Sequence, residues 1–160
     1  MVFTAEQLDQ LREQEKETIL PAFNSDVAWE LGQIVRKNAL KFPNSVLISI
    51  TGANGLVLFQ TTTRSGVTLD NQSWVERKRR VVTYFEKSSF LMGRSLEADN
   101  IGLDLFGKSD ADYATHGGGF PIRVKGTDSL AGVVVVSGLK QEDDHAVAVE
   151  SIKQYLATLA

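Results

Sequence analysis

The sequence predicts one α+β domain in which helices pack on an antiparallel sheet. Three observations carry that expectation. The chain has 160 residues, 42% of them hydrophobic and 23% charged, an ordinary globular balance at the size of a single domain. Its β-rich segments come as two pairs, each around a turn, with helical segments between them rather than in βαβ alternation. No repeat or low-complexity linker marks a second unit, so residues 1–160 read as one domain, with 1–20 as a peripheral N-terminal helical arm.

Each element has its own signal. Thr4-Ala5-Glu6-Gln7 has the capping-box pattern and starts a helix at Thr4. Leu8, Leu11 and Ile19 give that helix a thin apolar stripe, which suits a place on the surface or against another subunit. Pro21 ends the segment. Asn24, Ser25 and Asp26 then offer caps for a second helix, whose Val27, Leu31, Ile34, Val35 and Asn38 recur at 3–4 spacing. Val46–Thr51 and Leu56–Thr61 are rich in β-branched residues and flank Gly52-Ala53-Asn54-Gly55, and Asn-Gly is a strong hairpin signal. Asp70 reads as the cap of a third helix running to about Lys87. Ser88–Met92 reads as a strand and residues 95–115 as irregular. Phe120–Val124 and Leu130–Ser137 form a second strand pair, and Gln141–Leu159 a last helix with Asp143 and Asp144 in its first turn. The count is about five strands.

Composition narrows function. There is no cysteine, which removes disulfides, thiolate metal sites and cysteine nucleophiles. The net charge is −3, and Arg77-Lys78-Arg79-Arg80 is the one basic cluster, so nucleic acid is not an expected partner. The N-terminus has no basic and apolar leader pattern, and the longest apolar run, Ala131–Val136, is too short to span a bilayer. The expected location is the cytoplasm. His116 and His145 are the only histidines, and they lack zinc-site spacing. Glu142-Asp143-Asp144 lacks the spacing of a calcium loop. No G-x-S-x-G nucleophile elbow occurs.

The third helix holds the first candidate. At about 100° per residue, Asn71, Trp74, Val75, Val81, Val82 and Phe85 all fall within about 60° of Lys78. An ammonium at the centre of an apolar stripe requires a partner, because burying it alone costs several kcal/mol. One reading is a structural pair with an acid such as Asp110 or Asp112, or a stem that snorkels to water. The other is that Lys78 opens into a pocket and holds an anionic ligand group.

The second candidate is the run His116-Gly117-Gly118-Gly119-Phe120-Pro121. Three glycines tolerate positive φ and let another group approach the backbone. Their N–H groups could cradle a carboxylate or phosphate, or the run could be a tight start to a strand. It matches neither the Walker loop nor the dinucleotide fingerprint. His116 is either a surface residue, a metal or haem-iron ligand, or a general base. His145 sits at the buried edge of the last helix and reads as a partnered structural residue.

Taken in order, the motifs Asp70-Asn71-x-x-Trp74-Val75-x-Arg77-Lys78, Phe85, Ser88-Ser89, His116-Gly117-Gly118-Gly119-Phe120-Pro121-Ile122-x-Val124-Lys125-Gly126 and Val136-Ser137-Gly138-Leu139-x-Gln141-Glu142-Asp143-Asp144-His145 resemble the haem-degrading domain family, in its branch shared by bacteria and yeasts. The resemblance runs from about Glu13 to the C-terminus. It implies an antiparallel sheet flanked by helices, similar to profilin-like and sensor-domain folds, and homo-oligomers built from dimers. Lys78 matches a lysine that recurs on the equivalent helix of the wider family. Two departures from the pattern are Lys140, where many bacterial members have proline, and Thr127-Asp128-Ser129, in place of a shorter glycine turn.

The leading expectation is an oligomeric small-ligand-binding protein whose pocket is formed by Asn71, Trp74 and Lys78 together with His116, Gly117, Gly118, Gly119 and Phe120. The ligand is haem or another carboxylate-bearing molecule. Lys78 and the glycine N–H groups would hold its anion, Trp74 and Phe120 its apolar part, and His116 a metal. The alternatives are a haem-degrading or other small-metabolite enzyme with His116 as base or ligand, and a structural or adaptor oligomer that binds other proteins.

Overall fold

The computed structural model describes residues 2–160. In chain order the elements are helices α1 (Ala5–Lys16) and α2 (Ser25–Ala39), strands β1 (Leu47–Gly52) and β2 (Val57–Thr62), helices α3 (Leu69–Phe85) and α4 (Ser89–Asp99), a 3-10 turn (Leu103–Phe106), strands β3 (Gly119–Ile122) and β4 (Gly132–Ser137), and helix α5 (Gln141–Thr158). The four strands form one sheet in the order β2-β1-β4-β3, with every neighbouring pair antiparallel.

Strand alternation sorts the side chains into two cores. Ile48, Ile50, Phe120, Ile122, Val134 and Val136 face α2 and α5, where they meet Leu31, Val35, Val149 and Ile152. Leu47, Val133 and Val135 face the other way, against Val75 and Val82 of α3. Ser137 continues the 133-135 row, so its hydroxyl lies on the α3 side at the end of β4.

The sheet has four strands because Ser88–Met92 is not one. Ser88 is the N-cap of α4, and its hydroxyl accepts the Leu91 N–H at 3.1 Å. Phe90, Leu91, Met92 and Leu96 are buried from a helix. A five-residue apolar run has no period of its own to separate helix from strand, and the capping serine decides it. The cap of α3 is Thr68 rather than Asp70, in a capping box with Asn71, and the helix stops at Phe85 because Glu86 turns left-handed (φ 55°). The Thr4 capping box starts α1 as its pattern predicts.

Residues 2–20 are tied to the body of the same chain. Leu8 and Leu11 pack on Phe90 and Leu91 of α4. Leu20 is fully buried in the main core, and its N–H donates to the Arg123 carbonyl at 2.8 Å. Among the described residues, no helix is long and apolar enough to cross a membrane.

Candidate functional site

Lys78 lies under the end of the sheet, 3% exposed. Its Nζ donates to Asp144 Oδ2 (3.2 Å), the Val136 carbonyl (3.2 Å) and Ser137 Oγ (3.3 Å). Three acceptors therefore serve the three N–H groups of the ammonium. Asp144, 2% exposed, also accepts the N–H groups of Leu139 (3.0 Å) and Gly138 (3.3 Å). Burial pushes the Lys78 ammonium down from its ordinary pKa, with Asp144 opposing the shift. Burial lifts the Asp144 carboxyl to about 6 against the pull of Lys78 and the two N–H donors.

The partner of Lys78 is thus neither Asp110 nor Asp112. Both are exposed; their main-chain carbonyls accept from Arg77 (2.6 Å) and Arg80 (3.1 Å), and the Asp112 carboxylate accepts from Ser109 Oγ (3.2 Å). Sequence reasoning missed Asp144 because it was assigned to the helix dipole. The signal was present: Asp144, Ala148, Ser151 and Tyr155 make a row at 3–4 spacing, and all four are buried.

The glycines explain how α3 and α5 meet across the sheet end. Gly118 has φ +132°, and a Cβ there would collide with the Val136 carbonyl. It would also stand 3.0 Å from Lys78 Nζ and 3.2 Å from Asp144 Cβ, within the path of the ion pair. A Cβ at Gly117 would collide with the Gln141 carbonyl, and one at Gly119 would sit 2.9 Å from Val82. The expected anion cradle does not form from Gly117 and Gly119. The Gly117 N–H donates to Gln141 Oε1 (3.2 Å) and the Gly119 N–H to Ser89 Oγ (2.9 Å).

A cleft of about 370 Å³ opens over this pair. Asp70, Asn71 and Trp74 wall it from α3, Ser137, Gly138 and Leu139 from the end of β4, and Gln141 from α5, with Lys78 and Asp144 at its floor and His116 opposite. Of the eight expected site residues, Asn71, Trp74, Lys78 and His116 line the cleft. Gly117, Gly118 and Gly119 are buried behind it, outside its lining. Phe120 lies on the opposite face of the sheet, because its register partner is Val134 and both point into the α2–α5 core.

The rim is aromatic and electropositive. The rings of Trp74 and His116 meet edge to face at 5.0 Å, and the Arg77 guanidinium lies 4.5 Å from the Trp74 ring centre. Ser89 Oγ donates to the His116 carbonyl at 2.6 Å and fixes its backbone. The His116 side chain is at the surface of the cleft. Partial burial, then the charges of Lys78, Arg94 and Arg77, push its imidazole below the ordinary histidine pKa. The ring is neutral near pH 7 and keeps a lone pair for a metal or a proton. Asn71 has a structural duty as well, since its Oδ1 accepts the Thr68 N–H at 3.0 Å.

His145 is not part of this cleft. It is buried against Phe90 (4.9 Å, stacked), with Nε2 2.7 Å from Gln14 Oε1. Burial and then Arg94 lower its pKa to about 4. Its partner is a residue of α1, which further anchors the N-terminal arm.

A family profile described as "Haem degrading protein HbpS-like" matches residues 23–153. A UPF0303 protein of Rhizobium leguminosarum bv. trifolii is 42% identical over 150 residues, which span 94% of this chain and 89% of that protein. A UPF0303 protein of Streptomyces avermitilis is 39% identical over 150 residues, 93% and 90% of the two chains. Among solved structures, the crystal structure of the Ybr137w protein superposes with a TM-score of 0.87 at 36% identity, over 92% of this chain and 87% of that one. The crystal structure of a PduOC–haem complex shares the fold, with a TM-score of 0.69 at 19% identity over 82% and 94% of the two chains. A match over most of the chain, with relatives near 40% identity, places this protein in the HbpS-like haem-degrading protein family.

Proposed function

We propose that this chain is a cytoplasmic, oligomeric small-ligand-binding protein whose cleft between α3 and the start of α5 takes a carboxylate-bearing molecule, haem foremost. One observation carries the reading. A single opening joins an ammonium floor (Lys78), a half-buried indole (Trp74) and a neutral imidazole (His116). The apolar surface of Trp74 and Leu139 lies among convergent polar groups, and such a combination in one opening marks a ligand site.

The residues fit haem in a defined way. The volume, about 370 Å³, lies at the small end of ligand pockets. It would suit the carboxylate edge of the molecule, and Trp74 would pack on its apolar part. Ser137 Oγ accepts from Lys78 and still has its own proton to donate to an incoming carboxylate. His116, which lines the same cleft, could hold the iron through its imidazole nitrogen. Bound haem would supply an iron whose reactivity depends on that ligand. The family name and the haem complex of PduOC support this choice among carboxylates.

The test is a titration of the purified chain with haem, followed in the Soret region. A saturable shift that His116→Ala alters in position and Trp74→Ala weakens by about tenfold or more is the expected result, about 1.4 kcal/mol or more of lost contact. A spectrum that stays that of free haem, or a shift indifferent to both changes, overturns the haem reading.

A further inference from the structure

The Lys78–Asp144 pair has the arrangement of a latent amine nucleophile with its own proton carrier. We infer that Lys78 forms an imine with small oxo acids that enter the cleft, with Asp144 carrying the proton. This deepens the ligand-binding reading and rests on it, because the carbonyl must first be bound above Nζ.

The geometry supplies each requirement. Lys78 is the lysine at the cleft floor, and with Ser137 and Asp144, two of its three acceptors, it lines the opening through which a carbonyl would reach Nζ. Asp144 Oδ2 is 3.2 Å away, in contact with the ammonium itself. Ser137 Oγ, 3.3 Å from Nζ, is placed to donate to the carbonyl oxygen. An ammonium cannot attack, so the reaction opens with proton transfer to the carboxylate. Burial disfavours the charged form of both partners, one shifted down and the other up, so the neutral amine and neutral acid lie closer in energy than they would in water.

The step balances without an oxidant. Lys78 passes one proton to Asp144, and the Nζ lone pair forms a C–N bond to the carbonyl carbon. The attacking nitrogen gives up a second proton to the carbonyl oxygen, Asp144 returns the first to the same oxygen, and the C–O bond breaks to release water, leaving the protonated imine paired with the Asp144 carboxylate. The product is the imine, and hydrolysis reverses it. The floor around Nζ suits a small aldehyde or ketone, and Arg77, over the Trp74 ring beside the cleft, is the cation available to a carboxylate on it.

The experiment uses the full-length wild-type chain, glyoxylate as the probe and cyanoborohydride to trap the imine, with peptide mapping by mass spectrometry. The expected result is one preferred adduct at Lys78, formed at least tenfold faster than at the exposed Lys37, Lys41 and Lys125, and slowed at least tenfold in Asp144→Asn. The exposed lysines of the same molecule serve as the internal control, so the result does not depend on a variant folding. Labelling at Lys78 no faster than at those lysines, or an unmodified Lys78, overturns the inference. Haem binding is measured beside it. A chain that binds haem but leaves Lys78 unmodified loses only the imine step, and a chain that does neither loses the cleft as a ligand site.

Discussion

Replacing Lys78 with Met tests the ion pair that organises the site. Met fills the same apolar stripe but leaves Asp144 buried with only the Gly138 and Leu139 N–H groups as donors. Breaking a buried pair by removing one partner costs about 3–5 kcal/mol. The two remaining N–H donors favour the lower end, about 3 kcal/mol at pH 8. The cost depends on pH in a defined direction. With Lys78 present the Asp144 carboxyl titrates at about 6, well above its ordinary range. Without the lysine it titrates higher still, because the attraction of Lys78 is one of the causes holding it down. A carboxyl raised in the folded state contributes stability that is full at low pH and is lost as pH rises through the folded pKa. The variant therefore falls further below wild type as pH climbs above 6, and the difference shrinks toward zero at pH 5. For a domain of this size, about 3 kcal/mol corresponds to a Tm drop of about 6–12 °C. Urea denaturation at pH 5 and pH 8 measures both numbers. The double variant Lys78→Met/Asp144→Asn, with neither charge, should recover more than half of the loss at pH 8 and lose the pH dependence. A loss at pH 5 equal to that at pH 8, or below about 0.5 kcal/mol at pH 8, would refute the reasoning.

Three further outcomes follow from the same geometry. Gly118→Ala places a Cβ against the Val136 carbonyl at φ +132°, and should cost about 3 kcal/mol or more in chemical denaturation. His145 has a folded pKa of about 4 against an ordinary 6.5, so the stability it contributes is lost as pH falls from 6.5 through 4, by up to about 3 kcal/mol. His145→Gln should flatten the pH 4–7 stability profile by that amount, and an unchanged acid limb would show that other groups control it. Because the His116 pKa lies below its ordinary value, ligation of haem iron by His116 should survive acidification through pH 6.5 and fail only below it, as followed by the Soret band.

Much of this was legible in the residues, and the failures have physical causes. The hairpins announced themselves through β-branched runs and turn residues, and α3 through a stripe with a lysine at its centre. That lysine was legible because helical spacing is local. Its partner was not, because Asp144 lies 66 residues away and only the fold brings β4 and α5 to the same sheet end. Ser88–Met92 misled because a short apolar run fits two periods, and a single capping serine made it helix. Phe120 misled for a related reason. Sequence adjacency to the glycines suggested a shared surface, but strand alternation turned its ring to the other core. The glycines allow two readings, a cradle of free N–H groups or a tight start to a strand, and the run does lead into β3 at Gly119. Gly118 in addition leaves the gap in which a lysine from one layer and an aspartate from another meet.

The most direct test of the central claim is the electron density of this chain crystallised with haem. The account predicts the molecule in the α3–α5 cleft, a propionate within hydrogen-bond distance of Ser137 Oγ or Lys78 Nζ, and the His116 ring at the iron. Haem bound elsewhere, for example in the groove beside the exposed Trp29 and β2, with the Lys78 cleft empty, would contradict it.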